Sequence, residues 1–292
     1  MNDDLSALGK IIRETYGPLA FTVLEIGARP LKGQTESFHE LLDVFPGSQI
    51  LAFEIYEKLC TELNKRAKPG LRYFSVALGC KEETRALYET VHPMCTSLYR
   101  PNEELLGRYN GMEVAMLRSV SSVDTVSLDY FVKQNGIARV DFVKIDIQGA
   151  ELDAFRGGVN TLSETLAIVS EVEFIPQYID QPLFGDVCKF LAEQNFQFHK
   201  FLGLAGRTLK PFVVNNKPGF AIQHMWTDAM FIRDIRQLSD LPGDQLLRMG
   251  TLAFLYFSPD VTFYCFRLFD EKNGTDLCPR VFSSIRMQVR QL

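Results

Sequence analysis

The sequence predicts an α/β fold, namely a doubly wound, mostly parallel sheet of seven strands followed by a C-terminal helical appendix. Short, wholly apolar runs alternate along the chain with segments in which apolar residues recur at helical spacing. Strands that are apolar on both sides are typical of parallel sheets covered by helices. The 292 residues, 46% of them hydrophobic and 23% charged, are enough for one such sheet with a full core, and this composition excludes a disordered chain.

The elements of this fold follow one another in a regular order. Residues 1–20 are expected to form an N-terminal helix. The predicted strands are residues 21–26, 49–54, 71–78, 140–145, 166–174, 196–202 and 228–232. We expect helices between them, because apolar residues recur at i, i+3, i+4 and i+7 in segments such as residues 38–45. The last two strands are expected to be antiparallel at one end of the sheet. Residues 84–121 contain one candidate strand, residues 85–91, and otherwise read as a surface excursion.

The end of the chain has a different pattern. Residues 1–234 are predicted to be one domain, and residues 235–292 a C-terminal helical extension. Two helices are expected in the extension, the second starting with Ser258 as N-cap and Pro259 at the first helical position. A β-hairpin through the same residues is the alternative, because the flanking residues are rich in Phe and Tyr. The extension is the surface on which we expect a homo-oligomer, if one forms.

Charge and composition argue against several classes of function. The formal net charge is −5 and no Lys/Arg cluster stands out, so nucleic acid is not an expected partner. The chain does not open on a basic stretch followed by an apolar run, and no run approaches the roughly 18 apolar residues of a membrane span. We therefore expect a cytoplasmic protein without stable membrane insertion. The six cysteines are scattered without a Cys-x-x-Cys pair, which favours reduced thiols and no metal site.

Candidate ligand-binding residues lie where the predicted strands end, since open parallel sheets bind ligands beyond the carboxyl ends of their strands. The first strand runs through Glu25 into Gly27 and Ala28, and the second ends at Glu54. Gly27 allows a ligand to approach the backbone closely. A carboxylate at Glu54 can accept both hydrogens of a ribose diol. Residues 27–33 lack the Gly-x-Gly-x-x-Gly pattern that seats a pyrophosphate, which favours an adenosyl ligand over NAD or FAD.

The most distinctive segment is residues 140–158. It contains Lys144, Asp146, Gly149 and Glu151 in the pattern Lys-(apolar)-Asp-(apolar)-x-Gly-x-Glu. Here the chain resembles the FkbM family of S-adenosylmethionine-dependent methyltransferases, with Gln148 where that family usually has Glu. Weaker matches are Glu25 with Gly27-Ala28, Phe53-Glu54, Ala77-Leu78-Gly79, Thr96-Ser97-Leu98, Leu128-Asp129 and Glu171-Val172-Glu173. The resemblance covers approximately residues 20–234 and implies the class I methyltransferase fold, which is Rossmann-like.

The resemblance also implies a donor site for S-adenosylmethionine. The implied donor contacts are Glu25, Gly27, Ala28, Glu54, Ile55, Ser75, Ala77, Leu78, Ser97, Asp146 and Gln148. In this arrangement the Gly27-Ala28 backbone would approach the methionine part, and Glu54 the ribose hydroxyls. Residues 75–78 would line the adenine, and Asp146 would lie close to the sulfonium and the acceptor. The loop of residues 90–101 is expected to close over the donor.

Candidate catalytic residues are carboxylates and one histidine. Glu171 and Glu173 lie two positions apart on one predicted strand and therefore face the same way. If this strand lies beside the one ending at Asp146, the three carboxylates form a cluster whose members raise one another's pKa, which suits a general base. The cluster also suits a divalent cation, although none is predicted. Lys144 is a candidate to neutralise Asp146, and His224 is a candidate to reach the site.

The predicted function is methyl transfer from S-adenosylmethionine to a hydroxyl of a carbohydrate or other secondary metabolite. The partner would be a small-molecule or glycan acceptor, a class that rests on the resemblance alone. One alternative is another nucleotide-dependent enzyme, such as an NAD oxidoreductase. The other is a binding or assembly module that keeps the sheet without turnover, which Gln148 and the altered loop of residues 27–33 would support.

Overall fold

The computed structural model describes residues 3–30, 35–215, 217 and 223–285; Gly33 and residues 286–292, which entered the sequence analysis, lie outside them. The strands are β1 (Thr22–Ile26), β2 (Gln49–Glu54), β3 (Leu71–Ser75), β4 (Ala77–Gly79), β5 (Glu83–Thr90), β6 (Leu117–Ser127), β7 (Phe142–Ile145), β8 (Ala167–Glu173), β9 (Phe196–Phe201), β10 (Ala205–Arg207) and β11 (Gln223–Arg233). The helices are α1 (Asp3–Thr15), α2 (Leu41–Val44), α3 (Glu57–Asn64), α4 (Glu103–Leu106), α5 (Leu128–Gln134), α6 (Glu151–Arg156), α7 (Val159–Glu164), α8 (Phe184–Glu193), α9 (Gly243–Leu255), α10 (Pro259–Asn273) and α11 (Leu277–Ser284).

The central sheet confirms the predicted fold class. Its order is β3-β2-β1-β7-β8-β11, with β9 and β10 both pairing with the outer edge of β11. The strands from β3 to β8 are parallel, whereas β11 is antiparallel to its neighbours. Within the described residues this sheet has eight strands, whereas seven were predicted. The prediction missed β10, because this strand is only three residues long and shows no apolar pattern in the sequence. β10 pairs with residues 223–226 of β11 and β9 with residues 229–233, so the sheet stays seven strands wide.

The segment after β3 differs from the prediction. The single strand expected over residues 71–78 is wrong, because the chain leaves β2 after Ser75 and β4 then pairs with β6. β4, β6 and β5 form a separate three-stranded sheet. The excursion of residues 84–121 therefore contains an antiparallel ribbon, β5 with β6, in addition to its loops. An apolar pattern indicates that a segment is extended, but it does not say which neighbour the strand pairs with.

Helices cover both faces of the central sheet, since side chains alternate between the faces along each strand. One apolar cluster joins Val23, Phe142 and Met230 of the sheet to buried residues of α1, α9, α10 and α11. A second cluster on the opposite face joins Leu24 and Ile145 to buried residues of α5, α6 and α8. The carboxyl ends of β1, β2 and β7 are thereby held side by side between two packed layers.

The C-terminal extension is helical as expected, and the β-hairpin alternative is wrong. α10 begins with Ser258 as its N-cap residue and Pro259 in its first turn, and α11 is an additional helix that was not predicted. The three helices share an apolar cluster with α1 and the sheet. The domain boundary at residue 234 stays a prediction. Within the described ranges, none of the helices is long and apolar enough to cross a membrane.

Candidate active site

A cavity opens at the carboxyl ends of β1 and β2. The space between its walls is about 720 Å³, which includes space open to solvent. Its walls are mainly apolar, with Phe53, Leu78 and Leu98 among the lining residues, and its polar side chains include Glu54 and Asp146. We call it the first cavity.

Glu54 stands in the first cavity at the end of β2. The residue is only 6% exposed, and its Oε1 accepts a hydrogen bond from the backbone N–H of Tyr56 at 3.1 Å. Among the described residues, no donor binds its other oxygen. One carboxylate oxygen is therefore fixed by the protein and the second remains available to a ligand in the cavity.

Gly27 lines the cavity, but the structure gives a further reason for glycine at this position. Its φ is +82°, and a Cβ built here would lie 1.9 Å from the carbonyl oxygen of Asp146. The backbone N–H groups of Gly27 and Ala28 both donate to the Phe53 carbonyl, at 3.1 and 2.8 Å. The absence of a side chain thus lets the turn after β1 pack directly against the end of β7, in addition to any ligand it admits.

The residues predicted to line the adenine are only partly placed in the cavity. Of the predicted residues 75–78, Val76, Ala77 and Leu78 line the cavity, and so does the predicted donor contact Ile55. Ser75 is exposed and does not line the cavity; its Oγ donates to the Ile55 carbonyl at 3.1 Å. Strand alternation explains the difference, because neighbouring residues of an extended chain point to opposite sides.

The loop expected to cover the donor does border the first cavity, through Pro93, Met94 and residues 96–98. Ser97 is buried, and its Oγ donates to the Gln148 carbonyl at 2.6 Å while accepting from the N–H of Tyr99 at 2.9 Å. The hydroxyl therefore fixes this loop to the turn after β7.

A second cavity adjoins the first one. The two share Ile26, Gly27, Arg29, Met94 and Asp146 as lining residues. Glu25, predicted as a donor contact, lies in the second cavity, where its Oε2 is 2.8 Å from Nε2 of His39. Ala28 also lines this cavity. Asp146 and Gly27 thus stand at the junction of two spaces at the carboxyl edge of the sheet.

Gln148 connects several site residues. It has a φ of +58°, a left-handed conformation. Its Nε2 donates to Oδ1 of Asp146 at 2.8 Å and to Oε2 of Glu171 at 2.5 Å, while its Oε1 accepts from the hydroxyl of Tyr178 at 3.0 Å. The Tyr178 hydroxyl, which has one hydrogen to donate, also lies 3.0 Å from the Cys95 carbonyl oxygen. The amide is therefore positioned mainly by the two carboxylates that its N–H groups face.

The close carboxylate group differs from the predicted one: Glu151, which sequence reasoning missed, joins Asp146 and Glu171, and Glu173 is not part of it. One carboxylate oxygen from each of Asp146, Glu151 and Glu171 lies within 4.8 Å of the others. The Oε1 of Glu151 accepts from the N–H of Ile147 at 2.7 Å. Its place two residues after Gly149 was visible in the motif, but its burial was not. The three carboxylates are of a type that holds divalent cations, although the Gln148 amide already binds two of them.

Burial and mutual repulsion shift the pKa values of this cluster upward. Burial, with a contribution from Asp146, raises the pKa of Glu151 to about 8. Burial followed by the charges of Asp146 and Glu173 raises the pKa of Glu171 well above its usual range. Burial and the charges of Glu151 and Asp146 do the same for Glu173. Carboxyl groups with raised pKa values are suited to exchange protons near neutral pH.

Two other candidates have different surroundings from those expected. Lys144 does not bind Asp146 directly; its Nζ donates to Oδ1 of Asp228 at 2.9 Å. Burial alone would lower the pKa of Lys144, but the charges of Asp228 and Asp146 outweigh it and raise that pKa. His224 is exposed on β11, opposite Gly206 of β10, and lines neither of the two cavities.

Comparison with known proteins adds to this geometry. The profile described as Methyltransferase FkbM domain matches residues 25–198, which is more than half of the chain. The 2-O-methyltransferase NoeI of Sinorhizobium fredii (strain NBRC 101917 / NGR234) is 38% identical over 63 residues, which are 22% of this chain and 24% of that protein. The chain therefore matches about a quarter of the length of this curated relative.

Solved structures show only remote likeness. A protein in the NADB-Rossmann superfamily from Streptococcus agalactiae has 9% identity and a TM-score of 0.34, covering 98% of this chain and 97% of that one. The 23S rRNA methyltransferase ErmE has 10% identity and a TM-score of 0.31, covering 94% and 95%. These TM-scores are too low to carry an argument. The profile match over residues 25–198 does not depend on these structures, and the strand-end cavity and the motif of residues 144–151 agree with it. The chain belongs to the FkbM methyltransferase family.

Proposed function

We propose that this protein transfers a methyl group from S-adenosylmethionine to a hydroxyl of a carbohydrate or other secondary metabolite. The observation that carries the proposal is the first cavity, which Gly27, Glu54 and Asp146 line together at the carboxyl ends of three neighbouring strands. In a chain of a methyltransferase family, this is where an open α/β sheet binds its ligand. Oxygen as the acceptor atom is supported by the name of one relative, a 2-O-methyltransferase.

The residues of the first cavity fit an adenosyl donor. The free oxygen of Glu54 suits a ribose hydroxyl, and the apolar wall near Phe53 and Leu78 suits an adenine ring. A carboxylate at Asp146 favours a cation placed beside it. When bound, S-adenosylmethionine supplies a methyl group already activated by its sulfonium, so the protein has mainly to align the acceptor oxygen and remove its proton.

Glu171 is the general base that we propose for this proton; it lines neither cavity itself, but it binds Gln148, which lines the first one. Its carboxylate lies on the strand next to β7, and the Gln148 amide holds its Oε2 beside Asp146. A pKa raised by burial gives this carboxylate more proton affinity than a solvent-exposed glutamate has. Glu171 would accept the proton of the acceptor hydroxyl as the hydroxyl oxygen bonds to the methyl carbon, while the bond from that carbon to the donor sulfur breaks and S-adenosylhomocysteine leaves. Glu173 and Asp146 remain candidates for assisting roles, whereas the exposed His224 lines neither cavity.

Donor binding is the first test of this proposal. Calorimetry with S-adenosylhomocysteine and with NAD⁺ is expected to show binding of the former only, and Glu54→Ala is expected to weaken it. Glu57→Ala, an exposed glutamate three residues further on, is the matched control. Binding of NAD⁺ alone would point to an oxidoreductase and contradict the proposal.

Methyl transfer is the second test. Incubation with S-adenosylmethionine and a panel of sugars, glycans and phenolic or alkyl alcohols is expected to release S-adenosylhomocysteine with at least one hydroxyl acceptor. Donor binding with no transfer to any of them would favour a binding or assembly module. The small-molecule or glycan acceptor, the cytoplasmic location and a homo-oligomer formed through residues 235–292 are likewise proposals.

A further inference from the structure

The second cavity contains cations that differ in their partners. Among the described residues that line it, the cations besides His39 are Arg29, Arg66, Lys68 and Lys144. Lys68 pairs with Asp43 at 2.8 Å and Lys144 with Asp228 at 2.9 Å. Both lysines therefore already have a carboxylate, which leaves the two arginines as cations able to take an anion from a ligand.

Arg29 has the more favourable position of the two arginines. It lines both cavities, whereas Arg66 is exposed beyond the end of α3 and lines only the second one. The N–H of Arg29 donates to the Gly27 carbonyl at 2.8 Å, and its guanidinium lies 5.2 Å from the centre of the Tyr56 ring. Arg29 thus stands at the junction of the two cavities, and within the described part of the chain no carboxylate forms an ion pair with its guanidinium.

A ligand that spans the junction would meet this charge. With the ribose at Glu54 and the sulfonium near Asp146, the amino-acid end of the proposed donor leaves the first cavity past Gly27. That end carries a carboxylate, and a guanidinium binds a carboxylate through two parallel hydrogen bonds. We infer that Arg29 binds the methionine carboxylate of the donor and thereby selects the complete donor over its nucleoside fragment. This inference rests on the proposed function.

The test compares ligands with and without that carboxylate. S-adenosylhomocysteine carries it, 5′-methylthioadenosine lacks the amino-acid end, and decarboxylated S-adenosylmethionine differs from S-adenosylmethionine only in lacking the carboxylate. In calorimetry, Arg29→Gln is expected to weaken the binding of S-adenosylhomocysteine by about 10- to 100-fold, because charge-assisted hydrogen bonds are lost. The same variant is expected to bind the other two ligands within about twofold of the wild type, since a contact that these ligands do not make cannot be lost.

Two controls separate the possible results. Arg66→Gln removes the neighbouring cation and is expected to leave all three affinities unchanged, while Glu54→Ala is expected to weaken all three. An equal loss for the three ligands in Arg29→Gln would indicate damage to the cavity and overturn the inference, as would no loss at all. If the wild type binds none of the three, the proposed function itself fails, and the inference with it.

Discussion

Replacing Gln148 by glutamate is the most informative change to the site, because it exchanges one nitrogen, the donor to two carboxyl groups, for an oxygen of a third carboxyl group. The amide Nε2 donates to Asp146 and Glu171 at 2.8 and 2.5 Å. In Gln148→Glu an oxygen takes its place, so the hydrogen bonds to Asp146 and Glu171 are lost and a third carboxyl group faces these two. The fold and the left-handed backbone at this position need not change, since the two side chains have the same shape.

The magnitude follows from the spacing of the charges. Two carboxylate charges about 4 Å apart repel by about 4 kcal/mol at an effective dielectric constant of about 20. In Gln148→Glu this repulsion would raise the pKa of the new carboxyl group by about 3. A group whose pKa is higher in the folded than in the unfolded state destabilises the fold as the pH rises between the two values. Starting from an unfolded pKa of about 4.3, we expect Gln148→Glu to lose about 3 kcal/mol relative to the wild type between pH 5 and pH 8.

Urea unfolding of the wild type and of Gln148→Glu at pH 5, 6, 7 and 8 measures this loss. Gln148→Leu is the control, because it removes the same N–H groups without adding an acid, and its destabilisation should depend less steeply on pH. A destabilisation of Gln148→Glu that stays constant over this range would refute the reasoning. It would mean that the three carboxyl groups are not in contact.

Four further changes probe other parts of the site. Glu54→Ala should weaken donor binding by about 1–3 kcal/mol in calorimetry; unchanged affinity would exclude the ribose contact. Asp146→Asn should keep the melting temperature and lower the turnover rate more than the donor affinity. Equal turnover rates of the variant and the wild type would show that Asp146 takes no part in the reaction. Gly27→Ala should lower the free energy of unfolding by at least about 2 kcal/mol, because its Cβ would overlap the Asp146 carbonyl oxygen and its φ is +82°; a stable variant would contradict this packing. In Glu151→Gln the fall in stability between pH 5 and pH 8 should become shallower, because the pKa of Glu151 is about 8 in the folded protein; an unchanged slope in urea unfolding would show that Glu151 is not protonated there.

Much of the fold could be predicted because its signals are local. Wholly apolar runs such as residues 50–53 mark buried strands, and Pro259 after Ser258 marks the start of a helix. The break after Ser75 could not be predicted, because β3 and β4 look like one extended run and differ only in the strands with which they pair. Partner choice depends on the whole chain.

The candidate site was predictable to a similar degree. Glu54 and Asp146 were identified because parallel strands end at the same edge of a sheet, and both line the first cavity. Glu151 was missed because an acidic residue in the first turn of a helix usually has an ordinary electrostatic role, and sequence alone does not show burial. His224 was placed near the site by its position in the chain, whereas its exposure depends on which side of β11 it occupies.

The glycine turn after β1 has a consequence for how the site can adapt to a ligand. The Ile26 carbonyl accepts the N–H of Asp146 at 2.9 Å, and the N–H groups of Gly27 and Ala28 bind the Phe53 carbonyl. These hydrogen bonds join the ends of β1, β2 and β7 at the base of both cavities. A ligand in the first cavity would therefore meet a base held in place by the sheet, and we expect any adjustment to its shape in the bordering loop of residues 93–98.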